Sequence, residues 1–410
     1  MATLYCGPST TGNGSGSNFS NLLALPDTTG FTRGNTYVIV EGSYGSKTVS
    51  TAVSGTTRIT IRKAGTVDSA ITGYASTLHD GQAVFSGFSA QRGYITLDGN
   101  TGGGPTSWGS GHGIKITSTV AIGHWAFPPS YTTTDVLFDR VDIDIGATGA
   151  NPNRGVEFGG CDGITIRRSY VHDIGMDIFS GIYCNNITVE YSKIARNYQD
   201  VSYHGDGFEY QVQNASNFTF RYNLFEDIVG SYGFGSHGPV ITGYYVYGNI
   251  LYFTKNCFFG NGLVGCLSGG GTLTNFKFYN NTIAGVIGDG GYGYGFGRLG
   301  GTGNEARNTL IYRVSGATTH SWPPTVSGNT AYNMGSVADQ NLSGNPFANY
   351  PTSFAVSADT TAGTNTGSPY NVDMLGNAYS AAGGWTRGAI AFGSGGGSTP
   401  PVGTPVLSVR

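Results

Sequence analysis

The polar residues with the most chemical promise gather between positions 167 and 209. Arg167, Arg168, His172, Asp173 and Asp177 come first, then Lys193 and Arg196. The segment His204-Gly-Asp206-Gly-Phe-Glu209 follows. Acids, bases and cations in one groove are what cleavage of an acidic polysaccharide by elimination requires. A cation neutralises the uronate carboxylate, a base takes the adjacent carbon-bound proton, and an acid assists the leaving oxygen. His204, Asp206, Glu209, Arg221 and Lys193 are the residues expected to carry such chemistry. Asp139, Asp142 and Asp144 form a second carboxylate group, read as a solvated strand face. No Cys/His spacing resembles a zinc site, so no metal ligand is assigned. Carboxylate and amide oxygens on stacked turns could hold Ca²⁺.

These residues need elements to position them, and a repeat supplies those. Ile164–Val171, Ile187–Ile194, Phe218–Phe225, Tyr244–Leu251 and Phe276–Ile283 superimpose: a short alternating strand, then Ser or Asn, then a second apolar step. The Ser/Asn positions 169, 192, 223, 249 and 281 lie 23, 31, 26 and 32 residues apart. Periods of this size mark a solenoid. With strands and tight turns and no helix, the expected fold is all-β, a single-stranded right-handed parallel β-helix. Ile164, Ile166, Ile187 and Val189 are core candidates. Stacking aligns Arg167 with Glu190 and Arg221, and Arg168 with Tyr191 and Tyr222. Asn223, Asn249 and Asn281 read as structural corner residues, able to adopt left-handed angles and to form an amide ladder.

Rungs are expected from Thr36-Tyr-Val-Ile-Val onward, with an N-terminal cap over 1–35, the β-helix over 36–392 and a Gly/Pro-rich linker and tail over 393–410. Excursions at 100–112, 121–134, 197–208, 230–240 and 285–305 read as loops, which in repeat proteins gather on a binding face. Trp108, Tyr191, Tyr222, Tyr292, Tyr294 and Arg298 are the expected carbohydrate contacts, because aromatic faces pack on the apolar faces of sugars.

Two stretches resemble known families. Asn345-Pro-Phe347, Gly367-Ser-Pro369, Asp373 and Trp385-Thr-Arg-Gly-Ala-Ile-Ala-Phe392 look like the closing segment of bacterial and phage right-handed β-helix domains. Residues 204–251 resemble the active-site stretch of chondroitinase-B-type and alginate lyases, through Glu209, Arg221-Tyr-Asn-Leu-Phe225, Ser236-His237-Gly238 and Gly248-Asn249. Gln213 stands where that pattern has its basic Lys, and Ser236 where an Arg precedes His-Gly. Gln cannot abstract the proton and Ser cannot supply the charge, so the resemblance implies the frame without that lyase mechanism. Gly111-His112-Gly113 looks like a fragment of the polygalacturonase signature, but it precedes any carboxylate pair rather than following one.

Composition bounds the rest. Gly at 69 residues with Tyr 26 and Phe 22 suits β-rungs and tight turns, and charged residues are only 11%. A net charge of −3 offers no basic stripe for nucleic acid. No apolar run is long enough for a membrane span. Five Cys are too few for a disulfide scaffold; Cys161 and Cys184 should stack on adjacent rungs, as small apolar residues or as a disulfide. The Met start without a secretory signal, the neutral surface and the tail suggest a virion surface protein: a tail spike, fibre or capsid decoration. It would face host glycan, form homo-oligomers such as trimers, and dock other virion proteins through 393–410. The alternatives are a secreted polysaccharide lyase or hydrolase and a non-catalytic bacterial surface adhesin.

Overall fold

The computed structural model describes residues 1–105, 107–124, 132–200, 202, 205–230, 233–238, 240–254, 263–266, 271–285, 300–312, 325–327, 330–331, 340–341, 344–357, 360, 363–379 and 385–392. Their regular structure is short β-strand, apart from two single 3-10 turns at Thr66–Asp68 and Ser76–Leu78. His204, Tyr292, Tyr294, Arg298 and the 393–410 tail lie outside the described residues.

Strands stack in parallel into two hydrogen-bonded sheets. The larger holds two stacks joined by bent strands, here called the first and second sheets, and the smaller is the third. One complete coil is Phe208–Gln211 in the first sheet, Ala215–Arg221 in the second and Leu224–Glu226 in the third. Two long strands, Val156–Arg167 and Phe179–Glu190, bend from the first sheet into the second. The register of the second sheet runs Ile164, Ile187, Phe218, Tyr244, Phe276. Alternate side chains point into the coil, so Ile164, Ile166, Ile187 and Val189 are fully buried in one continuous apolar column. Each such side chain contributes about 1.5–3 kcal/mol by leaving water. Cys161 pairs in register with Cys184, and both are buried free thiols.

The corner between the second and third sheets turns on one left-handed residue per coil. Arg168, Tyr191, Tyr222, Asn280 and Asn308 have φ between 49° and 58°, and Gly248 has 64°. The left-handed residue therefore precedes the repeated Ser/Asn instead of being it. The Ser/Asn side chain points inward and accepts a backbone N–H from the previous coil. Ser169 N donates to Ser192 Oγ (3.1 Å), Ser192 N to Asn223 Oδ1, Asn223 N to Asn249 Oδ1 and Asn249 N to Asn281 Oδ1 (2.9 Å each). A left-handed non-glycine costs about 1–2 kcal/mol, and this ladder offsets it by pairing backbone groups that the corner takes out of the sheets.

The ends differ from the rungs. Thr3–Gly7 pairs in parallel with Thr36–Ile39, so the coil begins inside residues 1–35. Tyr5, Phe19 and Leu22 of the same segment pack on Val38 and Val40. Residues 344–392 run back along the corner of the second and third sheets. Asn280 Nδ2 donates to Tyr370 O, and Asn308 Nδ2 to Thr364 O. The Tyr370 ring sits edge-on to Tyr247 and Tyr279, 4.8 Å from each. Asp373 accepts the backbone N–H groups of Leu375, Asn377 and Ala391, which folds the segment on itself.

Three of the expected loops overlap strands of the first sheet. Val120–Gly123 overlaps 121–134, Phe208–Gln211 begins at the end of 197–208, and Phe234–His237 lies in 230–240. Each of these strands is four residues long, too short to carry much periodicity of its own. Stacking on the neighbouring coil defines them.

Candidate functional site: a buried carboxylate cluster on the first sheet

Stacking separates the charged residues onto different faces. On the outer side of the second sheet, Arg221 meets Glu190 through Nε (2.7 Å) and donates to Tyr247 Oη (3.1 Å). Asp139 is held by Arg140, Arg167 and Arg168. On the third sheet, Lys193 pairs with Glu226 at 3.0 Å. His172 lies between Asp142 (2.9 Å) and Asp173 (2.6 Å), Asp173 takes Arg196, and Asp144 takes Lys115. The Asp142/Asp144 face is thus an ion-pair network rather than solvated carboxylates. Lys193 and Arg221 are engaged as structural ion pairs and do not join Asp206 and Glu209.

The expected aromatic contacts also divide. Tyr222 stacks on Tyr191 with ring centroids 5.1 Å apart, yet it is buried beneath the C-terminal segment, near Val372 O. It faces protein, not solvent. His112, of the Gly-His-Gly fragment, is buried with Nε2 3.1 Å from Arg168 O and pins the 100–112 loop to the corner. Gln213 is exposed on the turn after Phe208–Gln211, and Ser236 is buried in Phe234–His237.

Asp206 and Glu209 meet a third acid that sequence reasoning left unassigned. Asp177 and Asp206 occupy equivalent places in successive turns from the third sheet to the first, each two residues before a phenylalanine, and Phe179 and Phe208 pair in register. The shared Asp-x-Phe spacing was the signal that could have found Asp177. Glu209 follows on the strand, beside Ser180 of the preceding coil. With Phe208 and Tyr210 turned into the core, alternation aims Glu209 outward. One carboxylate oxygen of each acid lies within 4.8 Å of the others, and Asp177, Asp206 and Glu209 are 0–1% exposed.

The partners are few. Arg154 Nε donates to Asp177 Oδ2 (2.9 Å) and its Nη1 to Glu157 (3.2 Å). Asp206 N donates to Asp177 Oδ1 (3.2 Å). His237, on the next coil and 47% exposed, approaches Glu209 Oε1 at 3.1 Å. Among the described residues, Glu209 Oε2 and Ser180 Oγ are buried with no hydrogen-bond partner. Burial, and then the Glu209 carboxylate, push the Asp177 carboxyl up to about 7, against the lowering effect of Arg154. Beside the Glu209 carboxylate, Asp177 therefore keeps its proton to near neutral pH. A carboxyl held protonated next to a second acid can serve as a proton donor at neutral pH.

Three acidic oxygens are also a donor set of the kind Ca²⁺ takes, but Ca²⁺ requires six to eight oxygens. Here the Arg154 guanidinium occupies Asp177 Oδ2 and competes with a divalent ion for that oxygen. Accordingly, neither EDTA nor added Ca²⁺ should move the thermal unfolding midpoint. A midpoint that climbs with Ca²⁺ concentration, as binding to the folded state requires, would mean that a cation holds the acids together.

Residues 131–283 match the family described as the right handed beta helix region. No curated protein matches the chain. Among solved structures it is similar to the pectate lyase Pel9A, at 14% identity over 77% of each chain with a TM-score of 0.47. It is also similar to the catalytic unit of a thermostable α-1,3-glucanase from Streptomyces thermodiastaticus, at 14% identity over 81% of this chain and 66% of that one, TM-score 0.37. Endopolygalacturonase I from Stereum purpureum, complexed with galacturonate, is 15% identical over 83% of this chain and 92% of that one, TM-score 0.23. The matched region spans the best-formed coils, the three parallel stacks and most of the corner ladder, and the chain is a right-handed parallel β-helix.

Proposed function

We propose that this protein hydrolyses glycosidic bonds of a neutral polysaccharide. The observation that carries the reading is the Asp177–Glu209 pair, with oxygens within 4.8 Å of each other and the Asp177 carboxyl pushed up to about 7. Asp177 gives its proton to the glycosidic oxygen as the C–O bond breaks. Glu209 bonds to the anomeric carbon as that C–O bond breaks, because the two carboxyls are too close for a water to stand between them. Asp177 then takes a proton from the water that displaces Glu209. The proton lost by the pair is thereby returned, and no co-reactant beyond water is needed. Half-exposed His237 lies on the route from solvent to Glu209.

Charge supports hydrolysis over elimination. Among the described residues, Asp177, Asp206, Glu209 and Glu157 gather with Arg154 as the paired cation of Asp177 and Glu157, so a uronate would meet repulsion where elimination needs a cation. The geometry thus favours the polysaccharide-cleaving alternative of the sequence reading over a purely structural virion role, and shifts it from acidic to neutral substrates.

The test is a screen of purified protein on neutral glucans, xylans, mannans and galactans alongside pectin, alginate and glycosaminoglycans. New reducing ends are expected from at least one neutral polymer, and Glu209→Gln and Asp177→Asn should cut them sharply. Unsaturated products from a uronate polymer, or turnover that survives Glu209→Gln, would overturn the reading.

A further inference from the structure

A cleft of about 410 Å³ opens on the third sheet, on a different face from the carboxylates. Its floor is formed by outward positions of adjacent strands, with Leu224 beside Ile250 and Glu226 beside Tyr252. Trp108, on the 100–112 loop, forms one wall. Phe354 of the C-terminal segment forms the other. The volume lies within the range of about 300–1,000 Å³ usual for small-molecule sites.

Both walls are fixed in advance. Thr101 Oγ1 donates to Gly111 O (2.8 Å), and His112 ties the loop to Arg168 O. Gly103 has φ of 72°, and a side chain there would meet Arg168 O at 1.7 Å, so the loop sits flat on the corner. Across the cleft, the Phe354 ring packs edge-on to Tyr252, 5.3 Å between centroids. A preformed site binds without the cost of ordering loops.

The lining chemistry selects the occupant. Trp108, Tyr252 and Phe354 are all half-buried, leaving ring surface at the cleft. Glu226 is the charged group of the floor, and Lys193 (3.0 Å) and Arg196 (3.6 Å) of the preceding coil compensate it. The cleft is therefore neutral in sum while keeping carboxylate oxygens that accept hydrogen bonds. Aromatic faces beside a compensated acceptor match the apolar ring face and hydroxyl edge of an uncharged sugar. A wholly apolar ligand would bury Glu226 without supplying donors.

We propose that this cleft is a binding site for a neutral oligosaccharide, with a sugar ring on Trp108 and its hydroxyls on Glu226. It stands on its own observations and does not need the carboxylate cluster to be catalytic. The test is calorimetric titration of the full chain with gluco-, xylo-, manno- and galacto-hexasaccharides and with oligogalacturonate. Wild type should bind at least one neutral hexasaccharide, and Trp108→Ala should weaken it at least tenfold. Thr352→Trp, which fills the cleft from its exposed rim, should do the same. Glu209→Gln should bind as wild type does, even where it has lost all turnover. The proposal is overturned if no neutral hexasaccharide binds, if oligogalacturonate binds as tightly, or if well-folded Trp108→Ala and Thr352→Trp proteins bind like wild type. Loss of binding in Glu209→Gln alone would also overturn it, because binding would then belong to the carboxylate cluster.

Discussion

Asn249→Ala should lower the free energy of unfolding by about 3–5 kcal/mol, one of the largest single-residue effects in the solenoid. The side chain is fully buried and works in both directions along the stack. Its Oδ1 accepts Asn223 N (2.9 Å) and Asn223 Nδ2 (3.1 Å), and its Nδ2 donates to Phe220 O (2.8 Å) and Asn281 Oδ1 (3.1 Å). Alanine strands a buried backbone N–H and a buried carbonyl, each worth about 1–3 kcal/mol when left unpaired. The chain itself indicates the milder replacement. Ser169 and Ser192 hold the same position, accept the same backbone N–H and donate to the carbonyl two residues earlier, those of Arg167 and Glu190. Asn249→Ser should therefore recover about half of the loss, since one of the two stranded groups regains its partner. Denaturant titration of the three proteins checks both figures, and an alanine variant within 1 kcal/mol of wild type would mean that the ladder is ornamental.

The corner was legible because it needs particular chemistry: a small hydrogen-bonding side chain at one place in every coil, which repeats as a letter and not merely as a pattern of polarity. The second and third sheets were legible beside it, as runs such as Ile187–Val189 and Ile194 alternate cleanly. The first sheet was not. Its strands are short, and Phe234-Gly-Ser-His237 looks like a loop until the neighbouring coil is laid against it. The candidate site sits on that sheet, which is why sequence reasoning gave Asp206 and Glu209 a role through their local Gly-Asp-Gly context but left Asp177, named in the same polar cluster, without one. It also drew in Lys193 and Arg221, because sequence spacing cannot say that their outward positions are already filled by Glu226 and Glu190. Tyr222 failed for a longer-range reason: the segment that covers it arrives 150 residues later.

Asp177→Asn should move stability and turnover in opposite directions. The ordinary aspartate value is 3.8, and burial with Glu209 raises it in the fold to about 7. Below about pH 4 the group is protonated in both folded and unfolded chains, and the fold loses nothing. Between about pH 4 and 7 the unfolded chain ionises while the folded one still holds its proton, so stability falls as pH rises, and levels off above 7. Each unit of difference is worth about 1.4 kcal/mol, which puts the total loss at a few kcal/mol. Asparagine is neutral throughout and should flatten that slope, leaving the variant the more stable protein at pH 8 and nearly equal to wild type at pH 4. The gain is trimmed by about 1 kcal/mol, since one amide oxygen cannot serve both Arg154 Nε and Asp206 N. Turnover should fall by about 10²–10⁴, the usual contribution of a positioned proton donor. In wild type it should decline above pH 7 as the Asp177 proton leaves. Thermal midpoints from pH 4 to 8, paired with reducing-end assays, read both effects. A wild-type stability profile flat across that window would mean that Asp177 does not hold its proton in the fold. Full activity in a stabilised Asp177→Asn protein would move the acid elsewhere, with Asp206 the next carboxyl in the cluster. A fold that keeps an acid at the cost of its own stability at neutral pH is one in which that acid has work to do, and this variant separates the two.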